Sequence, residues 1–348
     1  MKPGQGKLSR RRLLGGAAVA SATLPVLHEL IPHQGLHGGG NAAAAEPHMA
    51  GMSMNGGGAH AAHLGAVGTV DPHTNRFDPQ EILRDFDEGR MVNGVREWEL
   101  VAEEKEIEVA PGVKYAAWAY NGRVPGPTLR AREGERLRIR FTNGSSHPHT
   151  IHFHGIHPSA QDGIAGLGAG NVEPGRSTTY EFHATPFGLH LYHCHTMPLA
   201  EHIAKGLYGA FIIDPKQGRA DADELLMVMN GFDTNFDRSN EVYAVNTVAF
   251  DYMHRPVRVK RGELVRIYLV NMLEFDLLNS FHIHANFFDY YPTGTRLEPR
   301  DFTDTVVQGQ GERGVLELRF PYAGKFMFHA HVSEFAELGW MGFFEVTE

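Results

Sequence analysis

The chain has 348 residues, which is enough for two ordinary domains with full hydrophobic cores. Its formal net charge is −9 and the part after the N-terminal region has no basic stripe, so the composition gives no reason to expect a nucleic acid partner. The only cysteine, Cys194, excludes an intrachain disulfide and leaves that thiol free for another task.

The first 45 residues are typical of an export signal. Consecutive arginines lie between Ser9 and Leu14 and precede a small, weakly apolar stretch from Gly15 to Leu27. Twin arginines in this position are the pattern of the Tat pathway. The apolar stretch is short and contains glycine and proline, so we do not expect a membrane span. We therefore predict a protein exported through Tat, either periplasmic or secreted, with residues 1–45 as the signal region.

Residues 46–90 are predicted to be a flexible segment. The chain from about Pro32 to Pro72 is rich in Gly, Ala, His and Met, a composition that does not build a core. The irregular spacing of the histidines and methionines favours a linker. A copper-scavenging tail is the alternative.

Beyond this segment the chain contains the same domain twice. Gly134 to Asn143 matches Gly262 to Asn271, each a turn followed by an alternating strand. Gly188 to His195 likewise matches Gly324 to His331, so the period is about 130 residues. Short strand-like runs with abundant Gly and Pro predict an all-β chain of two tandem Greek-key β-sandwich domains. Their predicted bounds are residues 91–216 and 217–348.

Four His-x-His pairs are distributed over the two copies. Two histidines at this spacing on a strand point to the same face, where their rings can bind one metal or two adjacent metals. A single pair would mean little, but four pairs predict a metal cluster. The pairs are His152/His154, His193/His195, His282/His284 and His329/His331.

Cys194 lies between the two histidines of one pair and projects to the opposite face of its strand. A soft thiolate combined with imidazoles is typical of an electron-transfer copper. One strand can therefore serve two metal centres. The second copy lacks the residues proposed for the cysteine-centred site, because Asn279, Ala330 and Leu338 stand where the first has His149, Cys194 and His202. All the paired histidines remain, as expected if both domains contribute to a shared cluster.

At these residues the chain resembles the two-domain multicopper oxidases, laccase-like proteins built from two cupredoxin domains. The resemblance covers residues 95 to 348 and implies four coppers per chain. The type 1 copper would take His149, Cys194 and His202, with Leu207 in the axial position instead of methionine. The type 2 copper would take His152 and His282. The type 3 pair would take His154, His193, His195, His284, His329 and His331.

The same resemblance implies that a small reducing substrate, a phenol, an aromatic amine or a metal ion, is oxidised while dioxygen is reduced to water. Asp162, downstream of His154, resembles the carboxylate that supplies protons in laccases, although a turn-forming Asp-Gly is the alternative. Glu334 is a second candidate. Each domain carries only half of the histidine pairs, so an interface between a first and a second domain must complete the cluster. The family places it between subunits, which implies a homotrimer.

Three other functions stay open at this point. Copper nitrite reductases have the same two domains, but they have an aspartate where this chain has His152 and a residue that is not a ligand where it has His195. A Cu(I) or metal-ion oxidase acting in copper tolerance would use the same machinery as a laccase. A non-catalytic copper carrier would need only Cys194, His149 and His202.

Overall fold

Residues 68–348 are described by the computed structural model, and they form two pairs of β-sheets. The predicted export signal, together with residues 46–67 of the predicted flexible segment, lies outside the described residues. Among residues 68–348 no helix has the length and apolar character needed to cross a membrane.

The first pair of sheets is built from residues 86–214. One sheet has the strand order β1-β5-β10-β9-β7, and the other has the order β2-β3-β6-β8 with β4 paired to β3. The strands are β1 (Phe86–Asp87), β2 (Arg90–Val92), β3 (Val95–Ala110), β4 (Val113–Tyr120), β5 (Thr128–Arg132), β6 (Arg136–Asn143), β7 (His152–Phe153), β8 (Ser177–His183), β9 (Gly188–His193) and β10 (Tyr208–Asp214).

The second pair is built from residues 223–347. Its sheets have the orders β12-β11-β14-β19-β16-β17 and β13-β21-β20-β15-β18. The strands are β11 (Asp223–Phe232), β12 (Val242–Val245), β13 (Val257–Lys260), β14 (Val265–Asn271), β15 (Leu278–Ile283), β16 (Phe288–Pro292), β17 (Asp301–Thr303), β18 (Thr305–Gly309), β19 (Arg313–Leu318), β20 (Gly324–His329) and β21 (Met341–Thr347).

Helices are few and short in residues 68–348. In this range they are α1 (Pro72–Asn75), α2 (Pro79–Ile82), α3 (Leu199–Ala204), α4 (Asp251–His254) and α5 (Ser333–Glu337), with one 3-10 turn at Ser159–Gln161. The predicted all-β fold is therefore confirmed.

The end of the segment predicted to be flexible contains ordered elements in the described residues 68–90. α1 and α2 each follow an aspartate whose side chain accepts a backbone N–H, and each has a proline at the first helical position. Ile82 and Leu83 are fully buried, and β1 pairs with β5. The extent of the flexible segment before these elements stays a prediction.

The internal repeat appears as equivalent strands. β6 and β14 correspond, and the asparagine that ends each strand donates its side-chain amide N–H groups to two backbone carbonyls. β9 and β20 correspond in the same way, and each is followed by a short helix. Buried side chains from both halves form one continuous hydrophobic cluster, which includes Val124 and Leu189 of the first half and Val228 and Val315 of the second.

Candidate metal centres

Cys194 follows β9 directly and lies beside two histidines from other parts of the first domain. His202 comes from α3, and the backbone of His149 pairs with that of Val172. The Nδ1 atom of His202 lies 3.2 Å from Cys194 Sγ and 3.1 Å from His149 Nδ1, and the distance from Sγ to His149 Nδ1 is 3.8 Å. One sulfur and two imidazole nitrogens therefore converge on a common point, and they belong to the three residues that the family resemblance implies for the type 1 copper.

These three donors fit copper. Burial lowers the pKa of His149 to about 3 and that of His202 to about 4, so both imidazoles are neutral and able to bind a metal. Burial raises the pKa of the Cys194 thiol, whereas the backbone N–H groups of Thr150 and Thr196 lower it by donating to the sulfur. A cation in this position would favour the thiolate, and a thiolate with two imidazoles is a soft donor set typical of an electron-transfer copper.

Leu207 lies at the base of this site. It is fully buried in the same hydrophobic cluster as Cys194, and its carbonyl accepts the N–H of Cys194 at 2.9 Å. Its side chain has no donor atom. The axial role implied for Leu207 by the family resemblance stays a prediction.

The four paired histidines of the first domain form a separate group around His152. The ring of His152, in β7, lies with its centroid 5.0 Å from that of His154 and 5.3 Å from those of His193 and His195. The Nε2 atoms of His154 and His193 are 2.9 Å apart. Burial lowers the pKa of His154 to about 2 and that of His193 to about 4, and both rings are therefore neutral. We call this group of four histidines the first half-site.

Asp162 holds one ring of the first half-site in place. Its carbonyl accepts the Nδ1 proton of His152 at 2.9 Å, and its carboxylate Oδ1 lies 2.8 Å from the same nitrogen. This leaves Nε2 of His152 free for a metal. The carboxylate also lies 3.6 Å from Nε2 of His157, a histidine to which the sequence gave no role.

The second domain repeats this arrangement. The ring of His282 lies 5.2 Å from those of His284 and His329 and 5.3 Å from that of His331. The Nε2 atoms of His284 and His329 are 3.1 Å apart. His282 donates its Nδ1 proton to the carbonyl of Asp304, as His152 does to Asp162. These four histidines are the second half-site, and His284 and His331 are exposed.

A matching hydroxyl supports each half-site. The hydroxyl of Thr150 accepts the backbone N–H of His195 at 2.9 Å, and that of Ser280 accepts the N–H of His331 at 2.8 Å. In the second domain Ala330 occupies the position that corresponds to Cys194, and it is fully buried. The structure thus contains one cysteine-centred site and two half-sites of four histidines among its described residues.

Known proteins share this arrangement of domains. Two sequence-family models, each described as "Multicopper oxidase", match residues 101–218 and 220–348. The chain belongs to the multicopper oxidase family. A crystal structure of a multicopper oxidase has 61% identity and a TM-score of 0.79, covering 80% of this chain and 100% of its own. The blue copper oxidase from Nitrosomonas europaea has 28% identity and a TM-score of 0.66, covering 72% of this chain and 86% of its own.

A copper-containing nitrite reductase from Neisseria gonorrhoeae is also similar to this multicopper oxidase. It is 31% identical over 252 residues, which are 66% of this chain and 62% of the reductase. The chain thus spans less than two thirds of that relative's length. The family predicted from the sequence is confirmed.

The structure also brings residues of the second domain to the first half-site. A pocket of about 260 Å³ is lined by the four histidines, by Leu199 and Ile203 of α3, and by Met272, Leu273, Glu274, Gln310 and Gly311 of the second domain. Burial raises the pKa of Glu274. The sequence did not indicate Glu274 or Asp304. Asp304 lies 22 positions after His282, whereas Asp162 lies 10 positions after His152, so the two aspartates do not align in the internal repeat. Glu334, the second predicted carboxylate, is exposed on α5.

Proposed function

We propose that this protein is a laccase-like oxidase that takes single electrons from a small donor and reduces dioxygen to water. The donor would be a phenol, an aromatic amine or a metal ion. The observation that carries the proposal is the donor set: one Cys–His–His site beside a half-site of four histidines, and a second half-site of four histidines in the other domain. This set fits four coppers per chain, one of type 1, one of type 2 and two of type 3.

Copper, when bound, would supply one-electron redox chemistry and the affinity for dioxygen. The chain itself connects the two kinds of site, because Cys194 is covalently linked to His193 and His195 on either side. The N–H of His195 is fixed by Thr150, and the Nδ1 proton of His193 is donated to the carbonyl of Cys194 at 2.8 Å. The ring of His193 and the backbone of His195, at the two ends of this short covalent path, are therefore held in place.

Asp162 is proposed to handle protons at the first half-site. Its carboxylate is partly exposed and lies against His152 on one side and His157 on the other. A carboxylate in this position can accept a proton from solvent and hold it next to the ligand histidines. Glu334 is farther along the chain on an exposed helix, which makes it the weaker candidate.

Assembly as a homotrimer is proposed from the exposure of the second half-site. Four apolar side chains that are more than half exposed lie on or next to β15, which carries His282, and the strands β16 to β18 that follow it: Leu277, Phe287, Phe302 and Val307. Beside the first half-site, Met197 is 71% exposed. Exposed apolar groups of this size are typical of an interface. Within one chain, the second domain does not bring its half-site histidines to the first half-site. A neighbouring chain would therefore have to supply those histidines.

Nitrite reduction is the second candidate, because curated relatives with up to 31% identity are copper-containing nitrite reductases. The eight imidazoles of the two half-sites favour dioxygen over nitrite as the electron acceptor, because the single type 2 copper of a nitrite reductase needs only three imidazoles. Cu(I) oxidation in copper tolerance would use the same ligands, and a copper resistance protein A of Pseudomonas syringae pv. tomato is 32% identical over 141 residues, which are 22% of its length.

Side-by-side turnover distinguishes these activities. The copper-loaded protein is supplied in turn with hydroquinone and Cu(I), each with dioxygen, and with nitrite plus a reductant in the absence of oxygen. We expect oxygen uptake with at least one of the first two donors and no nitric oxide. Nitric oxide release without oxygen uptake would overturn the proposal.

Export through Tat to the periplasm or the medium is also proposed, from the three consecutive arginines at residues 10–12. Replacing Arg11 and Arg12 with lysine should retain the protein in the cytoplasm, which cell fractionation measures. Unchanged export of the lysine variant would contradict this route.

A further inference from the structure

Trp118 lies between the type 1 ligands and the protein surface. It is in β4, opposite Glu104 of β3, and its backbone N–H donates to the carbonyl of Lys205, just after α3. Its side chain is 8% exposed and forms part of the wall of an open hollow of about 530 Å³. The sequence assigned this tryptophan no function.

The indole contacts both type 1 histidines. Its ring centroid is 4.8 Å from that of His202 and 5.1 Å from that of His149, with edge-to-face geometry in both cases. On the outer side it lies 4.9 Å from the ring of His147, whose side chain is half exposed. Among the three tryptophans of the chain, Trp98 and Trp340 have no such contact with a type 1 ligand in the described residues.

The type 1 histidines themselves are closed to solvent. His149 is fully buried and His202 is 3% exposed, and Nε2 of His149 is buried without a hydrogen-bond partner among the described residues. A donor molecule that approaches from the hollow therefore meets the indole before either imidazole. Any electron that enters from this side must cross Trp118 or its neighbour His147.

The hollow has the size and chemistry for a small aromatic reductant. Its volume lies within the range of ordinary ligand sites. Flat rings at Trp118 and His147 offer a stacking surface, and the carboxylate of Glu104, beside His147 at 3.0 Å, can accept a hydrogen bond. The ammonium group of Lys205 lies 5.7 Å from the Trp118 ring centroid, at the other side of the hollow.

We propose that Trp118 is the electron-entry residue for small aromatic donors, which dock in this hollow against its indole. The proposal rests on the proposed oxidase function. The donor loses one electron, and a phenol also releases its hydroxyl proton to solvent. The electron would pass to Cu(II) held by His149, Cys194 and His202, and dioxygen would be the final oxidant through the proposed activity. The indole provides electronic coupling and is not itself consumed or oxidised.

The test is the anaerobic reduction of the blue absorption band by excess hydroquinone in a stopped-flow instrument. Trp118→Leu keeps the histidines covered by an apolar side chain but removes the ring. We expect its limiting reduction rate to fall at least about tenfold, which is about 1.4 kcal/mol in the apparent barrier. Trp118→Phe retains an aromatic ring, so its limiting reduction rate should lie between that of the parental protein and that of Trp118→Leu. Trp98→Phe, in the core of the same domain, should reduce at the parental rate.

Two further measurements distinguish a loss of electronic coupling through the indole from damage to the type 1 site. The position of the blue band and the reduction potential should stay unchanged in the Trp118 variants, because no ligand is altered. Cu(II) added to the copper-free full chain should quench indole emission, and Trp118→Phe should lose most of that quenching while Trp98→Phe keeps it.

A parental rate in Trp118→Leu, or a slower rate fully explained by a shifted potential, would overturn the proposal. If the leucine variant does not bind copper, a parental rate in Trp118→Phe overturns it instead. Slower reduction by Cu(I) with parental reduction by hydroquinone would also overturn it, because the entry site would then serve a different donor. A parent without a blue band would refute the proposed function, which is a distinct result.

Discussion

Replacing Leu207 by methionine should lower the reduction potential of the type 1 centre. Leu207 is fully buried beside Cys194, and exchanging leucine for methionine conserves volume at a cost below about 1.5 kcal/mol, so the site should survive. A thioether in the axial position is a weak donor that stabilises Cu(II) more than Cu(I). Each tenfold preference for Cu(II) lowers the potential of a one-electron couple by about 59 mV, and we expect a fall of about that size.

Redox titration followed at the blue band measures this change. Leu191→Met is the matched control, because Leu191 is equally buried but belongs to the hydrophobic cluster that does not contain Cys194. The control should retain the parental potential. An unchanged or raised potential in the Leu207 variant would refute its assignment as the axial residue.

Three further changes have defined outcomes. Cys194→Ser should bleach the blue band and reduce the metal content from about four to about three coppers per chain, and retention of the band would contradict the type 1 assignment. Gly163→Ala should cost at least about 1–3 kcal/mol and weaken the type 2 resonance signal, because Gly163 has a φ of +71° and an added Cβ would overlap the carbonyl oxygen of Ile151. Gly166→Ala, at φ +80° with open space around it, should leave that signal intact, and equal signals in both variants would refute the steric argument. Burial lowers the pKa of His190 to about 4, so His190 alone should cost the metal-free protein up to about 3 kcal/mol of unfolding free energy as the pH falls from about 6.5 to about 4, because only the unfolded state takes up that proton. His190→Phe should reduce the pH dependence of the unfolding free energy, measured by urea unfolding, by the equivalent of about one proton. An unchanged pH dependence would contradict the assignment to His190.

The sequence predicted the parts of the site that follow from strand geometry. Alternation along β9 predicts that Cys194 and its flanking histidines face opposite ways, and the structure has these residues in two separate sites. Comparing the two copies also showed that the second copy lacks all three residues that the family resemblance implies for the cysteine-centred site. The first inference depends only on the period of a strand and the second on internal similarity.

Residues contributed by loops could not be predicted in this way. His157, Asp304 and Glu274 lie beside the half-sites because of turn conformations and packing between domains. The loop that carries Asp304 differs in length from the loop that carries Asp162, so the internal repeat does not align these two residues. Trp118 was missed because it comes from a different strand, and only the pairing of β3 with β4 and the position of α3 bring it to the ligands.

The central claim is that two half-sites from different chains form one cluster, and mixing two inactive variants tests it most directly. One chain carries His154→Ala and His195→Ala, and the other carries His284→Ala and His331→Ala. Each variant alone should be a folded trimer without oxygen uptake. Unfolding and refolding them together should restore part of the activity, since some boundaries in a mixed trimer then have both half-sites intact. No recovery in trimers shown to contain both chains, or a parental protein that is a fully active four-copper monomer by light scattering, would contradict the account.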